Sequence, residues 1–171
     1  MKNHILKAYK SVFTDYETAV FNRAYVDVVL AQKYEANKKL GCLFIGVDNL
    51  QEYQNRYGRP GASTIIRKTA DQLRSVLPFV SRYSGNEFVA LLPGCNGNLL
   101  DWGDLARLAV SMSPVVIGRD AIKQTVTIGA ASRLPGETIE NLIVRADAAA
   151  LRGKQKTNCV MIARPPYGGA A

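Results

Sequence analysis

Few side chains in this 171-residue chain can act on a substrate, and what is missing narrows the chemistry first. His4 is the sole histidine and lies near the start, so a Ser-His-Asp or Cys-His nucleophilic site is excluded for want of a base. No Walker loop, G-x-G-x-x-G or G-x-S-x-G segment occurs. Cys42, Cys95 and Cys159 are widely spaced and form no C-x-x-C pair, which argues against zinc and reads as reduced thiols. Acid, amide and cation chemistry is what is left. Asp48 follows an apolar run, Ser84, Asn86 and Glu87 sit in a tight Ser-Gly-Asn turn around Gly85, and Arg152, Lys154 and Lys156 form a basic run. The net charge of +8 favours anionic partners without choosing among them. The basic run lacks interleaved aromatics and reads as a solvated helix end, so a nucleic-acid-binding module ranks last and no DNA partner is expected.

The elements that must carry these residues follow from periodicity. Ile5, Leu6, Tyr9 and Val12 mark a short lead-in helix over residues 1–14. Val26, Val29, Leu30 and Tyr34 mark a helix ending near Lys38 and Lys39, and Leu43–Val47 reads as a buried strand. A helix after Pro60-Gly61 carries Ile66, Ala70, Leu73 and Leu77 on one side. Phe79–Arg82 and Phe88–Leu92 read as strands of a hairpin centred on Gly85-Asn86. Trp102, Leu105, Leu108, Ala109 and Met112 predict a helix stopped by Pro114, followed by a minor strand Val115–Ile117. Val126, Ile128 and Ala130 alternate as a half-buried strand, Ile139 to Ala150 form a helix, and Val160–Ile162 closes the order. That order suits an α+β sheet with helices on one face, the ferredoxin-like palm arrangement. The length suffices for one domain with a core that needs no disulfide or metal staple. No apolar run is long enough to span a bilayer and no signal-peptide core is present, so a cytoplasmic location is expected.

Five segments, taken in order, match the motifs of a known family. Asp15-Tyr16-Glu17-Thr18-Ala19-Val20-Phe21-Asn22-Arg23 is similar to the opening motif D-x-L-T-x-L-x-N-R. Val47-Asp48-Asn49-Leu50 through Asn55-Arg56-Tyr57-Gly58 resembles D-x-D-x-F-K-x-I-N-D-x-x-G-H. Arg82-Tyr83-Ser84-Gly85-Asn86-Glu87-Phe88 takes the place of the signature R-x-G-G-D-E-F. Val126-Thr127-Ile128-Gly129-Ala130 and Arg145-Ala146-Asp147-Ala148-Ala149 through Lys154 resemble the S-I-G-V strand and the R-A-D-x-A-L-Y-x-A-K helix. In their order and spacing these segments resemble the GGDEF domain, the diguanylate cyclase family, and the resemblance implies a nucleotidyl-cyclase palm, with a central, mainly antiparallel sheet flanked by helices. It places the domain over residues 15–163, with a flexible tail over 164–171.

The departures decide what function the resemblance implies. Active members condense two GTP into cyclic di-GMP with Mg²⁺ or Mn²⁺, held by carboxylates because hard dications want charged oxygen ligands. Where the family has its first metal-binding Asp this chain has Gly46, and Asn86 replaces the hairpin Asp. Glu87 alone remains as a metal ligand and catalytic remnant, with Asp48 matching a mainly structural position. One charge pair at contact is worth about 4 kcal/mol at an effective dielectric of 20. Losing even part of that twice implies a rate fall of several powers of ten. Guanine recognition, an Asn and an Asp in the family, falls to Gln54 and Ser63, and Ser63 also suits a helix cap. Ser84 replaces the first signature Gly, while Gly46, Val47, Gly85 and Lys154 complete the nucleotide-binding remnant. The inhibitory R-x-x-D site is replaced by Ser75-Val76-Leu77-Pro78, so binding of cyclic di-GMP there is not supported. The expectation is therefore a catalytically inactive GGDEF domain with no cofactor, binding GTP weakly and working through a protein partner or homodimer in cyclic di-GMP signalling. The alternative is a weak diguanylate cyclase using Glu87 and Asp48 with Mg²⁺ or Mn²⁺ and GTP.

Overall fold

The computed structural model describes residues 11–95 and 98–164. Most of the lead-in helix and all but Arg164 of the expected tail lie outside the described residues; residues 11–13 are helical. The chain then runs through β1 (Phe21–Asn22), a π-helical segment (Tyr25–Leu30) continuing as α1 (Ala31–Tyr34), and β2 (Leu40–Val47). Next come α2 (Leu50–Val76), β3 (Ser81–Ser84), β4 (Glu87–Pro93) and α3 (Leu99–Ser111). The hairpin β5 (Val115–Ile117) and β6 (Asp120–Ile122) precedes β7 (Val126–Ser132), α4 (Ile139–Gly153) and β8 (Val160–Ile162).

The main sheet has the order β1-β3-β4-β2-β7-β8. β2 pairs antiparallel with β4 and β7, β3 pairs antiparallel with β4, and the outer pairs β1–β3 and β7–β8 are parallel. All eight residues of β2 are buried. Leu43, Ile45 and Val47 pack with Ile65 and Leu73 of α2 and Ala106 and Val110 of α3. Their alternates Leu40, Cys42 and Phe44 pack with Val26, Leu30 and Leu142, Ile143 and Ala146 of α4. A strand covered on both faces loses its polar alternation, so the unbroken run at 42–47 encodes a sandwiched strand. This corrects the expectation of helices on one face: α2 and α3 cover one side, α1 and α4 the other.

Three further differences have local causes. The helix expected after Pro60-Gly61 begins ten residues earlier, at Leu50, and breaks at Gly58 (φ 68°, ψ −176°). Only glycine takes that conformation readily, and the ring of Pro60 then resets the backbone for a second helical run. The helix expected to reach Lys38 stops at Tyr34. The strand placed at Phe79–Arg82 is shifted to Ser81–Ser84 because its register is set by β4, with Ser81 opposite Val89 and Arg82 opposite Phe88. In the middle of β7, Gly129 is set by packing. A Cβ there would stand 1.9 Å from the Ala146 carbonyl oxygen, so α4 lies directly on the backbone of β7.

Candidate functional site

The candidate residues converge where β2 ends, β7 begins and the β3–β4 hairpin turns. Register places Gly46 opposite Glu87 on one side and opposite Thr127 on the other. These strand ends, the first turn of α2 and the last of α4 enclose a cavity of about 570 Å³. Gly46, Val47, Asp48, Gln54, Gly85, Asn86, Glu87 and Lys154 all line it. Ser63 and Ser84 do not. Ser63 lies on the second run of α2, and Ser84 turns its hydroxyl onto Glu87 Oε2 at 2.5 Å. A larger open groove of about 1370 Å³ between the Tyr25–Tyr34 helix and the start of α4 contains none of the candidate residues.

Asp48 and Asn86 have defined partners in this cavity. Asp48 is buried and accepts from two hydroxyls: Thr125, just before β7, donates to Oδ2 and Thr127, within β7, to Oδ1, each at 2.6 Å. The Asn158 amide also donates to Oδ2, at 2.9 Å. Asp48 thus ties β2 to β7 and to the loop before β8, where Thr157 (φ 51°) and Asn158 (φ 44°) are left-handed. Asn86 donates from Nδ2 to the Val47 carbonyl at 3.1 Å, while the Val47 amide donates to the Asn86 carbonyl at 3.0 Å. An aspartate at 86 would have no proton to give that carbonyl. At Gly46 a Cβ would meet only the Thr127 carbonyl oxygen, at 3.9 Å, so a side chain fits the space that glycine leaves.

A second layer holds the hairpin in place. Arg82 donates from Nε and Nη2 to the Gly85 carbonyl (3.0 and 2.8 Å) and from Nη1 to Asp15 (3.2 Å) and Glu17. Burial opposes ionisation of Asp15, but the hydroxyl and amide of Thr18 and then Arg82 outweigh it and hold the carboxyl below its usual range. For Glu17 burial is likewise outweighed, by the hydroxyl of Ser63 and by Arg82. The Arg82 guanidinium is desolvated, yet its two carboxylate partners raise its pKa. Arg23, from the same opening motif, stacks over the Tyr83 ring at 4.4 Å. On α4, Asp147 has a raised pKa, through burial first and the neighbouring charge of Glu87 second. Asp15 and Asp147 fall within the quoted motifs, but the sequence alone assigns neither of them a role. The signal available was the repetition of motif residues of opposite charge, Asp15 and Arg82, at positions distant in sequence.

Arg74, one residue before the Ser75-Val76-Leu77-Pro78 segment, forms an ion pair with Asp71 at 2.9 Å on the exposed face of α2. Arg82 is committed to Asp15, Glu17 and the turn.

The sequence profile of the family described as "Diguanylate cyclase, GGDEF domain" matches residues 12–159. The chain belongs to the GGDEF diguanylate cyclase family. Diguanylate cyclase VdcA of Vibrio cholerae serotype O1 is 22% identical over 161 residues, covering 90% of this chain and 48% of the relative. This GGDEF domain therefore spans about half the length of that protein. Among solved structures, diguanylate cyclase SiaD of Pseudomonas aeruginosa, in complex with its activator SiaC, superposes with a TM-score of 0.87. The sequence identity is 23%, over 95% of this chain and 66% of that one. The coiled coil and GGDEF domain of DgcB from Caulobacter crescentus, in complex with c-di-GMP, gives a TM-score of 0.84 at 24% identity. That match covers 95% of this chain and 91% of the other. These likenesses establish the palm: an α+β fold with a central mixed sheet flanked by helices. No helix among the described residues is long and apolar enough to cross a membrane.

Proposed function

We propose that this GGDEF domain acts in cyclic di-GMP signalling by contact rather than by cyclisation, as a regulatory module that binds nucleotide and pairs with a protein partner or a second copy. One observation supports this above the others. The position facing Glu87 across the β2–β4 register is Gly46, and Asp48, just past the end of β2, has both oxygens taken by the hydroxyls of Thr125 and Thr127. Transfer of the 3′-oxygen onto an α-phosphate needs its developing charge met by metal or by fixed donors. Glu87 alone is a thin remnant of such a set. The remaining nucleotide-facing elements favour binding: Lys154 offers a cation, Gln54 an amide, and Gly85 an approach where an added Cβ would meet nothing within 4 Å.

The test is incubation of the purified chain with GTP and Mg²⁺ or Mn²⁺, followed by chromatography of the nucleotides. No pppGpG or cyclic di-GMP above the Glu87→Ala background is expected. Product that disappears in Glu87→Ala would establish the second reading, a weak diguanylate cyclase. That reading has its own support, because Glu87 lines the same cavity as Lys154.

A further inference from the structure

Among the described residues, the donors around the cavity do not suit the cations that the family employs, and this mismatch carries a consequence for ligand binding. Mg²⁺ demands near-octahedral oxygen coordination and Mn²⁺ accepts similar hard ligands, so a pair of dications needs several uncommitted oxygens. Gly46 has no side chain to give. The Val47 carbonyl already accepts from Asn86 Nδ2 and is not uncommitted. Asp48 receives three donors, and Glu87 Oε2 receives the hydroxyl of Ser84. The only other charged side chains lining the cavity are Arg82, already matched by Asp15 and Glu17, and Lys154.

Resting on the nucleotide-binding reading above, we infer that this pocket takes a nucleoside triphosphate without a divalent cation, its phosphates met by Lys154 and the open backbone at Gly85. Metal-free triphosphate carries more negative charge than its Mg²⁺ complex. For a pocket whose accessible cation is a lysine, in a chain of net charge +8, the metal-free form is the better ligand. A pocket with cation ligands behaves in the opposite way.

The experiment is calorimetric titration of the full chain with a slowly hydrolysed GTP analogue at fixed ionic strength, in EDTA and then in excess MgCl₂ or MnCl₂. The inference expects a Kd in EDTA that is equal to or tighter than that with either metal, within about threefold. Binding tighter by about tenfold or more with either ion overturns it, while leaving the nucleotide-binding reading in place. No binding in any buffer overturns both. Lys154→Ala is expected to weaken the EDTA titration by about fivefold or more; an unchanged Kd would mean that the phosphates are held elsewhere and would overturn the assignment. The paired variant Gly46→Asp with Asn86→Asp, checked for folding by circular dichroism, is expected to acquire a metal preference of about tenfold. A folded double variant with no such preference would show that the donor set is not what separates the two modes.

Discussion

Asp48 and Gly85 line the same cavity, yet the structure assigns them opposite kinds of importance. Asp48 is a buried carboxylate taking three hydrogen bonds, two from threonine hydroxyls and one from a backbone amide. Asn in its place keeps one acceptor oxygen and presents an NH₂ to donors that need acceptance. Removing one partner of a charged buried hydrogen bond costs about 1–3 kcal/mol, so Asp48→Asn should lower the urea midpoint markedly. Were Asp48 a metal ligand instead, its substitution would leave stability nearly unchanged and abolish metal-dependent binding. Gly85 has no structural claim on its identity: its φ is not left-handed and an added Cβ would touch nothing within 4 Å. Gly85→Ala should therefore leave stability within about 0.5 kcal/mol, as for a surface change, while weakening nucleotide binding. Chemical denaturation beside calorimetry separates the two residues. A Gly85→Ala variant that binds normally would place the phosphates away from the hairpin.

Between elements, two contacts invite measurement. Gly129 lets α4 lie on β7 so closely that Ala would drive a Cβ into the helix backbone at Ala146 and Ala150. Overpacking against backbone costs about 1–3 kcal/mol, which for a domain of this size lowers Tm by several degrees. Gly129→Ala with an unchanged Tm would mean that α4 is not seated as described. The second contact is the Arg82 cluster, which joins the opening loop to the hairpin. Asp15 and Glu17 have lowered folded pKa values, so each binds its proton more readily in the unfolded chain. Their stabilisation is complete above the unfolded pKa and is lost as pH falls through the folded value. Stability should therefore decline from about pH 4.5 downward, the ordinary carboxylate range. Glu17→Gln should be less stable at pH 7 and show a shallower acid loss, which urea titrations between about pH 2.5 and 7 would reveal. An equally steep acid loss in that variant would remove Glu17 from the cluster's pH response. Glu17 itself escaped a sequence reading, since it stands where the motif has Leu and nothing in its spacing announces contact with Ser63 and Arg82. Gly46, Asn86 and Glu87 were legible, because a strand-and-turn motif fixes their neighbours within a few residues. Asp48's three donors come from residues 125, 127 and 158, and no local pattern carries such distances.

At the scale of the whole molecule, β2 belongs to both apolar layers, and this sharing is what the order of elements alone failed to convey. Periodicity locates each helix's apolar face but not the side of the sheet it meets; only the unbroken burial of Leu40–Val47 reveals two covered faces. A strand common to both layers couples them, so the domain should unfold in one cooperative step. Leu73, at 0% exposure, represents the face of α2 and α3, and Leu142, also at 0%, represents the face of α4. Truncating either to Ala removes buried methyl groups and leaves a cavity, costing about 2–5 kcal/mol. Trp102, the single tryptophan, packs against the first layer only. Leu142→Ala lies in the other layer, yet if the strand couples them, Trp102 fluorescence must shift its urea midpoint as far as backbone circular dichroism does. Two separated transitions, with Trp102 reporting the unperturbed one, would show that the layers fold independently. The hairpin and the end of β2 would then lose the shared support that holds Gly46, Asn86 and Glu87 in register.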